Sequence, residues 1–116
     1  MDTMDLTEAT ELARRVRALY HRIEERHEGS VWSTKDDMLG LVNDVGSLSR
    51  LVMATGGQWA PEGDVPALLR GKLAECLWWV LVLADRLDVD IADAYASKLG
   101  DIEAHLRSVV SRLPSD

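Results

Sequence analysis

The sequence predicts an all-α protein. Leu, Ala and Val dominate its apolar stretches and recur every three to four residues, which is the spacing of one helix face. Proline occurs only at positions 61, 66 and 114, and phenylalanine is absent. At 116 residues, with 47% apolar and 28% charged residues, the chain suits a single folded domain over residues 1–116.

Helix one has clear start and stop signals. It is predicted to begin after Asp5 or Thr7, with Glu8 as the partner in a capping box, and to end near His27. Gly29 then supplies the stop. Its apolar stripe consists of Leu6, Ala9, Leu12, Ala13, Val16, Leu19, Tyr20 and Ile23.

Helix two is predicted between a serine cap and a pair of glycines. Ser33 or Thr34 caps it, and the acids that follow suit the positive end of a helix. The helix runs to about Ala54, and residues 56–57 end it.

Helices three and four complete the predicted bundle. Pro66, after a loop over residues 56–63, is a strong start signal for helix three. Residues 73–87 of that helix are apolar on nearly all sides, so we expect self-association through this central helix, as a homodimer or homotetramer. Asp90 caps helix four, which runs to about Leu113.

Charge and cysteine content limit the function classes. A net charge of −7 disfavours a nucleic-acid-binding surface, and no apolar run is long enough to span a membrane. Cys76 is the only cysteine and the N-terminus lacks a signal-peptide pattern, so a reducing cytoplasm is expected. We interpret the basic positions of helix one as a solvated face: Arg14, Arg15, Arg17 and Arg22.

Two residue pairs, one on helix two and one on helix three, have the spacing of a metal site whose ligands come from two helices. Asp44 and Ser47 form one pair, and Lys72 and Glu75 form the other. Residues three apart share a helix face, so two such faces could hold a cation between them. Four carboxylates in these places would bind Mg²⁺ and position a triphosphate, but only two of the four positions are acidic.

The phrases around these pairs resemble the MazG-like, all-α nucleoside triphosphate pyrophosphohydrolase family. They are NDVGSL at residues 43–48 and KLAECLWWVLVLADRLDVDIADA at residues 72–94. The resemblance implies a four-helix MazG-like bundle that forms dimers or tetramers. It also implies Mg²⁺-dependent hydrolysis of a nucleoside triphosphate to the monophosphate and pyrophosphate. The family's four acidic metal positions fall on Asp44, Ser47, Lys72 and Glu75.

Asp44 and Glu75 are the candidate catalytic residues and metal ligands. The alternative is that they are half-buried acids satisfied by hydrogen bonds or by Lys72. Lys72 itself is a candidate for ligand binding. Its ammonium group would either replace the cation by pairing with both acids or contact a phosphate as a point charge.

Further candidates lie at the ends of helix two. Asp37 is seven residues before Asp44, hence on the same face, and is either an auxiliary metal ligand or a capping residue. Trp32 and Trp59 either stack on a nucleobase or cover the edge of the core. The tryptophans at positions 78–79 are expected in the core and at the subunit interface.

Three functions therefore stay open at this point. The first is a Mg²⁺-dependent nucleotide pyrophosphohydrolase. The second is a catalytically silent relative that binds a nucleotide or another phosphate compound in the same cleft. The third is a structural dimerisation module.

Overall fold

The computed structural model describes residues 3–58 and 62–115, and this part of the chain forms four α-helices and no strand. They are α1 (Leu6–Glu28), α2 (Thr34–Thr55), α3 (Val65–Arg86) and α4 (Ile91–Ser111). The predicted all-α class is confirmed, and the helix ends lie within two residues of their predicted places.

The caps explain why these boundaries were predictable. The side chain of Asp5 accepts a hydrogen bond from the backbone N–H of Glu8, and the side chain of Glu8 accepts one from the backbone N–H of Asp5. Ser33 and Asp36 form the same reciprocal pair at the start of α2. Gly29 ends α1 with a φ of 74°, a left-handed conformation that glycine adopts without steric cost.

Helix α3 lies at the centre of the fold and packs against both α1 and α2. Ala13 of α1 and Leu81 and Val82 of α3 form the buried core cluster. Ile91, at the start of α4, packs against this cluster from the other end of the chain.

The core is small for a chain of this length. The outward side of α3 leaves Leu73, Leu77 and Val80 well exposed, and α4 contains no buried residue. The molecule is elongated, with extents of 63 × 39 × 32 Å.

None of the helices in the described ranges is both long and apolar enough to cross a membrane.

Candidate functional site

Three of the four residues in the predicted pairs meet across α2 and α3: Asp44, Lys72 and Glu75. The ammonium nitrogen of Lys72 donates to Asp44 Oδ1 at 3.3 Å and to Glu75 Oε2 at 2.8 Å. We call these three residues the Lys72 cluster. Asp44 is mostly buried, whereas the side chain of Glu75 is 55% exposed.

The charges of the Lys72 cluster stabilise one another. The hydrogen bond from Lys72 to Glu75 is the main cause that raises the pKa of Lys72 above its ordinary value of 10.5. Asp44 adds a second hydrogen bond in the same direction, against the opposing effect of burial. The lysine is therefore fully charged at neutral pH.

This arrangement does not fit a Mg²⁺ ion. The ammonium group lies where a cation shared by Asp44 and Glu75 would lie, and its repulsion of a divalent ion at about 4 Å is on the order of several kcal/mol. Ser47 supplies no carboxylate in place of the expected acid, and its hydroxyl donates to the backbone oxygen of Asn43. Within residues 3–58 and 62–115, no group of three or more His, Cys, Asp or Glu side chains is placed to hold a metal ion.

Trp79 connects the Lys72 cluster to a group of aromatic side chains. Its indole N–H donates to Asp44 Oδ2 at 2.7 Å, and its ring stacks on Trp32 with centroids 6.1 Å apart and planes 13° apart. Trp78 lies 4.5 Å from Trp79 and donates its own N–H to the backbone oxygen of Ala13. Tyr20 extends the group from α1, 5.6 Å from Trp78.

A backbone feature of α2 makes room for Trp79. A Cβ at Gly40 would lie 2.5 Å from Trp79 Cζ2, so only glycine lets the indole approach α2 this closely.

These side chains line a cavity of about 500 Å³, which we call the aromatic cavity. Its walls are mainly apolar, and its polar groups come from all of the first three helices. The size is within the range of small-molecule sites. The lining residues are Val16, Arg17, Tyr20, Glu24, Trp32, Asp44, Ala74, Glu75, Trp78 and Trp79.

Asp37 lies in a different environment from Asp44. It is fully buried, with Oδ1 at 3.0 Å from Arg17 and Oδ2 at 2.6 Å from Arg86. The cap of α2 is made by Ser33 and Asp36 instead, so the capping role considered for Asp37 is wrong. A metal ion at Asp37 would have to displace two guanidinium groups.

The same arginines hold Trp32 in place. Arg17 also pairs with Glu24 at 3.0 Å, and Glu24 accepts the backbone N–H of Trp32 at 2.8 Å. Arg86 donates to the backbone oxygen of Trp32, also at 2.8 Å. We call Arg17, Glu24, Asp37 and Arg86 the arginine network. It fixes both backbone polar groups of Trp32 and thereby positions its ring over the cavity.

The network changes the titration of its members. Burial opposes ionisation of Glu24, but hydrogen bonds from Arg17 and from the backbone of Trp32 outweigh it and lower the pKa of Glu24. His21 lies beside the network, where burial first, and then the charges of Arg17 and Arg86, lower the pKa of its imidazole.

Neither arginine of the network was among the site residues predicted from the sequence. Arg17 is 4% exposed, so its assignment to a solvated face is wrong. A signal was present, because Arg17 lies four residues after Ala13 and seven before Glu24, and so falls on the buried face of α1. Trp59, the other candidate for base stacking, lies outside the described residues.

No protein-family model, curated protein or solved structure matches this chain.

Proposed function

We propose that the chain is a MazG-like protein that binds a nucleotide in the aromatic cavity without a metal ion and without hydrolysing it. The position of the Lys72 ammonium group between Asp44 and Glu75 carries this proposal. A tethered positive charge in that place supplies a phosphate contact and at the same time opposes metal binding. The motifs at residues 43–48 and 72–94 support the family assignment.

The aromatic walls favour a ligand with a nucleobase. Trp32 lines the cavity from the turn before α2, and Trp78 and Trp79 line it from α3. Stacking of a base on an aromatic side chain contributes about 1–3 kcal/mol and tolerates any base. The mainly apolar wall excludes water around such a stack.

The charges around the cavity favour a ligand with few phosphates. The cavity is lined by three carboxylates, those of Glu24, Asp44 and Glu75, and by one cation, Arg17. Lys72 does not line the cavity but pairs with two of these carboxylates, and counting it leaves a formal charge of −1. A triphosphate without a metal ion would be repelled by this excess. The phosphate of a nucleoside monophosphate can replace Glu75 as a partner of Lys72, because Glu75 is the more exposed of the two carboxylates that Lys72 contacts.

Self-association and a reducing setting are also part of this proposal. The chains associate through the outward side of α3, which the exposure of Leu73, Leu77 and Val80 supports. An unchanged assembly state in a Leu77→Asp variant would rule out that interface. The reducing setting is the cytoplasm, in which Cys76 stays reduced.

The direct test is ligand binding in the presence of a chelator. We expect nucleoside monophosphates to quench tryptophan fluorescence and to raise the melting temperature in EDTA, because a ligand that binds only the folded state stabilises it. Ribose 5-phosphate, which has no base, should do neither. Lys72→Gln should weaken monophosphate binding and leave nucleoside binding unchanged, whereas Lys98→Gln should change neither.

Pyrophosphate release separates this function from the alternatives. A panel of nucleoside triphosphates with Mg²⁺ or Mn²⁺ should give no more pyrophosphate with the wild type than with Glu75→Ala. Turnover that Glu75→Ala abolishes would make the chain a pyrophosphohydrolase. If no nucleoside or nucleotide binds, the structural dimerisation module is the better interpretation.

Restoring the missing acids tests the role assigned to Lys72. The double variant Ser47→Glu/Lys72→Glu has carboxylates at all four positions, and we expect Mn²⁺ or Mg²⁺ to raise its melting temperature. The wild type and a Lys98→Glu variant, which changes the same charge on α4, should show no such response. A metal response of the wild type equal to that of the double variant would contradict the proposal.

A further inference from the structure

The surface of the chain is too large for a compact monomer. Its accessible area is 9042 Å², whereas a folded monomer of 12.9 kDa exposes about 6,300 Å². The radius of gyration is 18.4 Å, against about 13 Å for a compact chain of this length. The excess of about 2,700 Å² per chain is more than each partner of a stable homodimer usually buries.

Helix α4 contributes the most continuous part of this surface. Its large apolar residues follow one another at intervals of four and three residues, which is the seam pattern of paired helices. Each is between 39% and 61% exposed. We call these residues the α4 stripe: Tyr95, Leu99, Ile102, Leu106 and Val109 of α4, and Leu113 just after its end.

The stripe is narrow, and this points to another helix as its partner. Apart from Val110, the α4 positions beside it are small or polar, including Lys98, Glu103 and Arg107. A stripe confined to the two seam positions of a heptad suits a paired helix rather than a broad bundle face. An isolated helix of 21 residues also gains most of its stability in water from such packing.

We propose that the α4 stripe pairs with the same stripe of a second copy of this chain, in antiparallel orientation. The orientation follows from Ile91, which lies one turn before Tyr95 on the same face and packs against the core of its own chain. A parallel partner would bring its own α1–α3 to this place, where the first chain's core already lies. An antiparallel partner covers residues 95–113 only, and its Leu99 faces Val109.

This pairing differs from the interface expected on α3. It uses another helix and does not depend on nucleotide binding. The excess area of about 2,700 Å² per chain accommodates both contacts.

Assembly state tests the pairing. Sedimentation equilibrium should give a dimer or an even oligomer for the wild type. In Leu106→Asp, the dissociation constant of the α4 pair should rise at least about 100-fold, because each dimer would bury two carboxylates in an apolar seam. Ala104→Asp adds the same charge to the opposite face of α4 and should leave assembly unchanged. A monomeric wild type, or unchanged assembly in Leu106→Asp, would overturn the proposal.

Disulfide formation tests the orientation without depending on folding of a destabilised variant. In a Cys76→Ser background, chains with Leu99→Cys and chains with Val109→Cys should cross-link when mixed. Neither variant should cross-link alone. Cross-linking of Leu99→Cys chains with one another would show a parallel pair and overturn the orientation, and no cross-link in any mixture would overturn the pairing.

Discussion

At the scale of single residues, one side chain changes what the candidate site can do. Lys72 stands between two carboxylates that would otherwise repel each other and attract a cation. A cationic group that belongs to the chain thus lies where an exchangeable ion could otherwise bind. Under the proposed function, nucleotide binding in this cleft therefore needs no metal ion.

The raised pKa of Lys72 gives a pH dependence of stability with a definite sign. Because the pKa is above 10.5 in the folded chain, the stabilisation is complete below the unfolded-state pKa and is lost as pH rises through the folded-state pKa. The difference in unfolding free energy between wild type and Lys72→Met should therefore be constant up to about pH 10 and shrink above it. Urea unfolding between about pH 8 and 11.5 measures this difference. Lys98→Met, which removes an exposed lysine, is the control, and an equal pH dependence in both variants would contradict the expectation.

Asp37 is the residue whose loss should cost most stability. Asp37→Asn leaves Arg17 and Arg86 without their shared carboxylate in a buried position, which costs about 3–5 kcal/mol of unfolding free energy. The neighbouring Asp36→Asn removes only part of an exposed cap and should cost about 1 kcal/mol or less. Chemical denaturation of both variants checks the order, and a reversed order would show that the arginine network is not a buried ion-pair system.

At the scale of helices, the sequence predicted the helix ends and one contact between helices, but it did not predict the arginine network. The ends of α1 and α2 were predictable because Asp5 and Ser33 satisfy backbone groups within four residues of themselves. The meeting of Asp44 with Lys72 was predictable because helical spacing aligns the two motif faces. The arginine network was not, because it needs α1, α2 and α3 to come together, and charged residues on a helix are usually solvated.

The contact between α2 and α3 depends on Gly40. Gly40→Ala would place a methyl group 2.5 Å from an indole ring that is also held by Trp32 and Asp44, so the helices must move apart. We expect a loss of about 1–3 kcal/mol in unfolding free energy and a changed tryptophan spectrum. Gly46→Ala meets no atom within 4 Å and should instead stabilise α2 by about 0.5–1 kcal/mol. Thermal unfolding of the two variants tests this expectation. Equal changes in melting temperature would mean that the indole of Trp79 moves aside without loss of stability.

At the scale of the whole molecule, the first three helices form a small core and the fourth extends from it. The sequence predicted a single domain and self-association, because residues 73–87 are apolar on nearly all sides. It did not predict that α4 would contain no buried residue, since an apolar stripe looks the same whether its partner lies in the same chain or in another. The structure distinguishes the two cases, because α4 packs against α1 and leaves its apolar stripe exposed.

Stability of the whole molecule should depend on its concentration. Where folding and association are coupled, dilution from about 100 µM to about 1 µM lowers the melting temperature, by several degrees for a chain of this size. Circular dichroism at both concentrations measures the shift. The Ala104→Asp variant should show the same shift and Leu106→Asp a smaller one, whereas a concentration-independent wild type would indicate a monomer.

The ammonium group of Lys72 also makes the cleft independent of the ion supply around it. The occupancy of a metal site depends on the concentration of the free ion, and a bound ion exchanges with other ions and is removed by chelators. Lys72 is part of every chain and lies within hydrogen-bond distance of Asp44 and Glu75, whatever ions the surroundings contain. The occupancy of the cationic position is therefore set when the chain is synthesised, and starvation for divalent ions leaves it unchanged.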